Sequence, residues 1–516
     1  MLPSQHWAQN FTVKPQDVEH ITNLLLEKET PLSSYQITHL IVEQRLTQER
    51  EVLEERYKDA AVYNPSHVYE VGQRLVFPVM EYATGVITGM REGNNPDYGA
   101  FSVAAVEFED ESEREFATAL EAEHPLNGGN GSSIAPDSLT VDEIMAEMEE
   151  PLVEQVETYL EENSDLISIA HKWFPMDLML DVDDGHLNLT EAVLDINLGG
   201  PMKTRSILQE MGGLGKSHES LQEFSLNYYL NEDRRFDEVG PSGEVMWYLT
   251  RMEPEGVRQR PGLLKYSELP HNREYLTDDM RRLEAEIGDE LSPLEPVTGI
   301  ERGTVKLIYP HRRAGTLPLS AKIRDLFPRA RNTSRIYVTL VDEADDEEFV
   351  GWVLPEERYI YGLGLLYTKY ALPIGAHVTI KRSDDPGRII VDLDTYKARS
   401  EWIPLMVPKG QQFGFETSKR AIGADYDDLM ILGIDELEAV DALIETHRKQ
   451  RQSLAATMKL LIPGLGQLNP QGTAHVQTIY SAVNVLRRCP PAPIMATLEA
   501  NPDFENVGGH YWRVAD

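Results

Sequence analysis

The chain has 516 residues, 48 Lys and Arg against 86 Asp and Glu, a net charge of −38, and a single cysteine, Cys489. At that length one hydrophobic core stops growing, so about three to five domains are expected, while one cysteine excludes intramolecular disulfides and cysteine-based zinc sites. No apolar run reaches the roughly 20 residues of a membrane span, and the opening MLPSQHWAQNF lacks a basic stretch followed by an apolar one, which predicts a soluble, cytoplasmic protein.

The first module, 1–62, reads as helical. Asp17 can cap the run VEHITNLLLEKE, whose Val18, Ile21, Leu24 and Leu25 recur at helical spacing. A break at Thr30-Pro31 precedes a second helix carrying Leu40, Ile41 and Leu46, and the charged helix QEREVLEERYKDA follows. From Val68 to Leu120 the period shortens to that of strands. YEVGQRLVFPV, ATGVITGM, FSVAAVEFED and REFATAL are separated by Gly, Asn, Pro and Asp, which predicts a small SH3-like barrel over 63–122. YEVGQRLVFP, GVITG and VEFED resemble Tudor- and KOW-like modules. Residues 123–139 are rich in Gly and Ser and read as a flexible linker. Beyond it, SLTVDEIMAEMEEPLVEQVETYLEEN is an acidic amphipathic helix or pair of helices.

An internal echo organises the rest. RFDEVGPSGEVMWY (235–248) and DFENVGGHYW (503–512) share aromatic–acid–x–Val–Gly, then a turn and an aromatic strand. Each follows a helical run, so each predicts a hairpin after a helix, with Phe236, Val239, Phe504 and Val507 buried. Upstream, LTEAVLDINLGGPMKTRSILQEMG and TAHVQTIYSAVNVLRRCPPAPIMATLEANP each read as helix, Gly or Pro break, helix. These segments, about 190–252 and 470–514, resemble the HARE-type winged helix of the acidic delta subunit of bacterial RNA polymerase. Residues 17–47 match it only in their first two helices, since the next helix runs into the barrel without a wing. The resemblance places a winged helix with an acidic helical region in 140–290 and another in 404–516.

Residues 291–403 are β-rich. LPLSAKIRDLFP followed by a strand, then YGLGLLY, then LPIGAHVTIKR, resembles the plant-B3 or restriction-enzyme-type DNA-binding pseudobarrel. That family has a Gly-Trp-x-x-Phe helix and a Leu-x-x-Gly-Asp turn at these places. Here Gly362-Leu363 with Tyr367, and Pro373-Ile374-Gly375-Ala376, stand there. The fold class expected is therefore α+β multidomain: winged-helix modules combined with SH3-like and B3-like small barrels.

Charge is segregated along the chain. Residues 107–165 hold nineteen acids and one base, Arg114; residues 302–335 hold nine Lys and Arg and one acid, Asp325; residues 446–498 hold six Lys and Arg and no acid. The 302–335 run predicts an anion-binding face, with Arg312, Arg313, Lys322, Arg324, Arg329, Arg331 and Arg335 as the nucleic-acid contacts. The competing expectation is an internal clamp in which these cations pair with the acidic 107–165 segment.

Motifs for chemistry fail on their spacing. GGLGKSHES (212–220) has Glu210 where a phosphate-binding loop needs glycine. In DVDDGHLNLTE (181–191) the first and third calcium positions would fall on Leu180 and Val182, so the acids instead cap a helix starting near Thr190. The fourteen histidines form no metal-ligand pattern, and His171 and His475 read as core or surface-edge residues. Asp392, Asp394 and Lys397 have a nuclease-like order but read better as an exposed alternating strand. Arg487 and Arg488 suit the end of a helix. The expectation is a non-enzymatic, transcription-related DNA-binding protein without metal, cofactor or small-molecule substrate. An acidic scaffold partnering RNA polymerase and a nuclease-type defence effector are the alternatives.

Overall fold

A computed structural model describes residues 11–80, 82–95, 99–121, 140–169, 172–330, 333–385, 387–410 and 412–515. The expected linker falls outside them, as do His171 and Arg331. The architecture is mixed α and β, in two compact units: Met1–Asp181 with Gly215–Ser225, and Val182–Leu214 with Leu226–Asp516.

The first unit begins with the helix Pro15–Lys28, opened by a proline whose missing N–H costs nothing there. Asp17 lies in its first turn, accepting the Lys14 amide at 2.8 Å, and pairs with Arg45 at 2.5 Å. A short strand, Leu32–Ser33, leads into one unbroken helix, Ser34–Arg56, that absorbs the second and third helices expected from sequence. Five strands follow as a sheet in sequential order: Ala61–Val62, Arg74–Phe77, Ala83–Glu92, Ser102–Phe108 and Glu113–Thr118. Tyr69, Leu75, Phe77, Ile87, Val106 and Phe108 fill their core.

The chain then resumes the helical core it had left. Helix Val141–Asn163 starts at a Thr140–Glu143 capping box and kinks at Met148, ahead of Pro151. Its Leu152, Val156 and Leu160 join Ile21, Leu25, Ile37 and Ile41 in one cluster. The hairpin Leu166–Ile169 and Lys172–Pro175 completes it, because Lys172–Pro175 pairs back onto Leu32–Ser33. The N-terminal helices therefore do have a hairpin of their own, carried on the far side of the five-stranded sheet.

That order of elements recurs twice further along the chain. Helix Asp184–Ile196, strand Met202–Lys203, helices Thr204–Met211 and Glu219–Glu232, and the hairpin Phe236–Glu238 with Met246–Leu249 form one copy, all in the second unit except residues 219–225. Helix Leu454–Gly466, strand Ala474–His475, helices Val476–Leu486 and Pro491–Ala500, and the hairpin Phe504–Gly508 with Tyr511–Val514 form the other. In all three sheets the second hairpin strand lies between the first and the short strand.

A buried tryptophan marks the same register each time. Trp173 faces Leu32, Trp247 faces Met202, and Trp512 faces Ala474. Two residues past the short strand's partner, Ser34 accepts the Trp173 indole N–H at 2.9 Å and Thr204 accepts that of Trp247 at 3.2 Å. The third copy has Val476 at that place, and the buried Trp512 indole N–H has no partner among the described residues. A hydrogen bond gained by a buried donor contributes about 0.5–1.5 kcal/mol. Val476→Thr should accordingly raise the thermal midpoint of the second unit; a lower midpoint would show that the hydroxyl fails to reach the indole.

Between these two copies lies a nearly closed, barrel-like sheet of seven strands. Its order is Arg302–Lys306, His377–Lys381, Arg388–Asp392, Ile336–Asp342, Glu348–Leu354, Tyr359–Tyr361 and Thr316–Pro318. Every pair is antiparallel except Ile336–Asp342 with Arg388–Asp392. Val305, Leu317, Ile323, Val338, Ile360 and Leu366 are among its core residues. The hairpin of the preceding copy is bonded onto this sheet: the Tyr337 N–H donates to the Val239 carbonyl at 2.9 Å and the Ser242 N–H to that of Arg329 at 2.8 Å. Val239 is thus fully buried, packed in a cluster with Trp352, Leu354 and Tyr359. Val507, its counterpart in the motif, is 49% exposed, contrary to expectation, because its hairpin meets no such sheet.

Candidate nucleic-acid interface

The cations of 302–335 are largely engaged within their own unit. Arg335 reaches Asp237 and Glu253, both at 2.9 Å; Arg313 reaches Asp441 at 3.1 Å; Arg329 reaches Asp325 at 3.2 Å. Lys306 pairs with Asp427 at 2.6 Å and Glu286 at 3.2 Å. Arg312 and Lys322 donate to backbone carbonyls, of Leu372 and Glu286, and burial lowers the pKa of both. Arg324 is half-buried with an unpartnered Nε, its pKa lowered by burial and by Arg358. None of these acids lies in 107–165. Arg329, at 79% side-chain exposure, and Arg313, at 42%, are more open than Arg335, at 26%.

The Arg335 node stores a pH dependence. The Glu253 side chain is buried, and burial, then the hydrogen bond and charge of Asp237, push its pKa up to about 8 against the pull of Arg335. Folded Glu253 therefore keeps a proton that the unfolded chain releases near its ordinary 4.5. Its contribution to stability is full below that value and is lost as pH rises through about 8. Glu253→Gln should remove that falling limb. Urea midpoints at pH 5, 7 and 9 that run parallel in wild type and variant would show that Glu253 does not titrate there.

A more open cationic surface lies on a long two-stranded ribbon. Strand Thr395–Lys409 pairs with Gln412–Ala424, so position 403, expected to end the β-rich module, lies inside a continuous strand. One half is anchored: Met406, Phe413 and Phe415 join the core of the C-terminal helices. The other half, Thr395 to Ser400, is exposed. Trp402 stands directly opposite Lys419 and is 68% exposed, whereas Trp173, Trp247, Trp352 and Trp512 are essentially inaccessible. Arg399 lies 5.3 Å above the Tyr396 ring. Among the described residues Lys397, Arg399 and Lys419 have no acidic partner, while Arg420 is held by Asp435.

An exposed indole beside an unpaired cross-strand lysine is a nucleic-acid chemistry: the cation meets phosphate and the aromatic face stacks on a base, while Arg399, opposite Ile422, lies on the other face of the ribbon. A two-stranded ribbon also has the cross-section that a DNA major groove admits. Lys397 was placed on an exposed strand from sequence; Arg399, Trp402 and Lys419 were missed. Their sequence trace is the pair TYKARSEW and TSKRAIG, two cation-bearing runs that meet only when the hairpin forms.

The other motifs find structural roles. Asp183, with His186, caps a helix that begins at Asp184 rather than near Thr190. GGLGKSHES connects the helices Thr204–Met211 and Glu219–Glu232. Asp392 is neutralised by Lys381 at 2.9 Å, away from any joint use with Lys397. His475 is buried at the start of helix Val476–Leu486, where it accepts the Gln477 amide and burial brings its pKa down to about 4. Among the described residues no group of three or more His, Cys, Asp or Glu is arranged to hold a metal ion, and no helix is long and apolar enough to cross a membrane. No family model, curated protein or solved structure matches this chain.

Proposed function

We propose that the protein is a non-enzymatic, transcription-related DNA-binding protein built from three winged-helix modules, an SH3-like barrel and a B3-like pseudobarrel. The observation that carries this reading is the threefold recurrence of helix, short strand, two helices and hairpin, with a tryptophan at one register. Winged helix is a fold with many uses, so the ligand is argued from the surface. Trp402 and Lys419 supply stacking and phosphate contact on one face of the ribbon, with Lys397 and Arg399 adding charge along it and Arg313 and Arg329 adding charge from the pseudobarrel.

Fluorescence anisotropy of a labelled duplex with the full chain tests it. Affinity should fall steeply between 50 and 200 mM salt, as counterion release requires. Trp402→Ala combined with Lys397→Ala and Lys419→Ala should weaken binding at least tenfold. Because four other tryptophans are buried, duplex should also quench the emission that Trp402→Phe removes. No binding at low salt, or binding untouched by the ribbon variants, would sink the proposal.

One observation favours a second reading, the acidic scaffold that partners RNA polymerase. Helix Asp184–Ile196 and its end expose Leu189, Ile196 and Leu198 at 51%, 80% and 79%, in a chain of net charge −38 that should repel nucleic acid. Nuclease-resistant recovery of polymerase subunits from lysate, lost on Leu189→Ser with Ile196→Ser, would support it.

A further inference from the structure

A concave site distinct from the ribbon lies in the second unit. Three parts of the acid-free 446–498 stretch converge on the loop Gly262–Ser267 and enclose a cavity of about 470 Å³. They are the end of helix Leu437–Gln450 with Arg451 and Gln452, Thr457 on helix Leu454–Gly466, and Leu486–Arg488 at the end of helix Val476–Leu486. Among the described residues no acid lines the cavity. Its cations are Lys265, Arg448, Arg451, Arg487 and Arg488, with His447 beside them.

These cations differ in what already holds them. Arg488 is buried and neutralised by Asp289 and Glu290. Arg448 pairs with Glu445 at 3.2 Å, and Arg487 donates to the Gln452 carbonyl at 3.1 Å. Lys265 and Arg451 are exposed and have no ion-pair partner among the described residues. Helix ends offer one internal account of the charge, since Leu437–Gln450 and Val476–Leu486 both terminate here. Each terminus presents only about half a negative charge. The start of helix Leu454–Gly466, three residues before Thr457, returns half a positive one. After Glu445 and both termini are counted, roughly two positive charges remain with nothing to oppose them.

We propose that this cleft binds a small oligophosphate, a di- or triphosphate group either free or carried by a nucleotide. The volume lies in the range of small-ligand pockets, about 300–1,000 Å³. Guanidinium forks match phosphate oxygens two at a time, and Arg451 and Arg487 approach from different elements, so a multidentate anion bridges them. The sequence carries no motif for this ligand because the cations come from three separated segments. The inference stands independently of DNA binding by the ribbon.

The test is calorimetry and thermal melting of the full chain with sodium tripolyphosphate, against sodium sulfate at equal ionic strength. Saturable one-to-one binding and a raised melting midpoint are expected, since a ligand of the folded state stabilises it by mass action. Lys265→Ala with Arg451→Ala should leave the unliganded midpoint unchanged and weaken tripolyphosphate binding at least tenfold. Lys397→Ala with Lys419→Ala on the ribbon should leave that binding intact. Metal-free ATP binding as tightly as tripolyphosphate assigns recognition to the phosphates alone; tighter binding assigns part of it to the nucleoside. Absence of saturable binding at millimolar tripolyphosphate overturns the proposal. So does binding unaffected in the cleft variant, or a cleft variant that loses duplex binding when tripolyphosphate never bound.

Discussion

Arg488→Met should destabilise the second unit by about 3–5 kcal/mol, the usual result of stripping one partner from a buried ion network. The guanidinium is inaccessible to solvent and reaches Asp289 at 2.6 Å, Glu290 at 2.7 Å and the Asn484 side chain at 2.9 Å. Tyr480 donates to Asp289 at 2.6 Å, and His311 meets Glu290 at 3.1 Å and Thr316 at 2.9 Å. Burial pushes the Asp289 carboxyl upward; burial acts the same way on Glu290, but Arg488 and then His311 outweigh it and hold that group low. Without the arginine two adjacent carboxylates stay buried with no permanent cation between them. A lower urea midpoint for the second unit is the readout. Adding Asp289→Asn and Glu290→Gln should recover a large part of the loss, because the orphaned charges go with it. A single variant as stable as wild type, or a triple variant worse than the single, would contradict the network's role.

Phe236→Ala and Phe504→Ala should each cost about 3–5 kcal/mol, the range for emptying a buried aromatic site. Both rings are 6% exposed at the first position of their hairpins. Phe236 packs with Leu226, Leu230 and Trp247, and Phe504 with the C-terminal helical core. The valine of the same motif supplies the internal control. Val239→Ala removes methyl groups from a closed cluster and should cost about 2 kcal/mol. Val507→Ala, at a half-exposed position, should change stability by less than about 0.5 kcal/mol. Equal losses at the two valines would mean that the sheet contact made by Val239 adds nothing.

The two C-terminal copies were legible because local pattern and fold agreed. Each copy is contiguous, and its phenylalanine and tryptophan sit on the two strands of one hairpin. The N-terminal copy was read only as far as its second helix for the opposite reason. Its tryptophan lies in KWFP at 172–175, and no periodicity links that run to Leu32 across a complete sheet. The cations of 302–335 show a different limit. Composition identifies a basic segment, but the acids that meet it, Asp237, Glu253, Asp427 and Asp441, come from other parts of the chain. The ribbon and the oligophosphate cleft failed for the same reason: each is assembled from runs that look ordinary alone.

The split N-terminal module has a consequence for synthesis. At about 5–20 residues per second, Leu32 leaves the ribosome roughly ten seconds before Trp173, the residue it must face. During that interval Ile21, Leu25, Ile37 and Ile41 have no hairpin or third helix to cover them. The intervening five-stranded sheet pairs neighbours in sequence, so it closes early with little loop entropy to overcome. The earliest-made core is therefore the later one to close. It waits beside nascent chain that carries the protein's densest negative charge, whose repulsion keeps uncovered apolar helices on adjacent ribosomes apart.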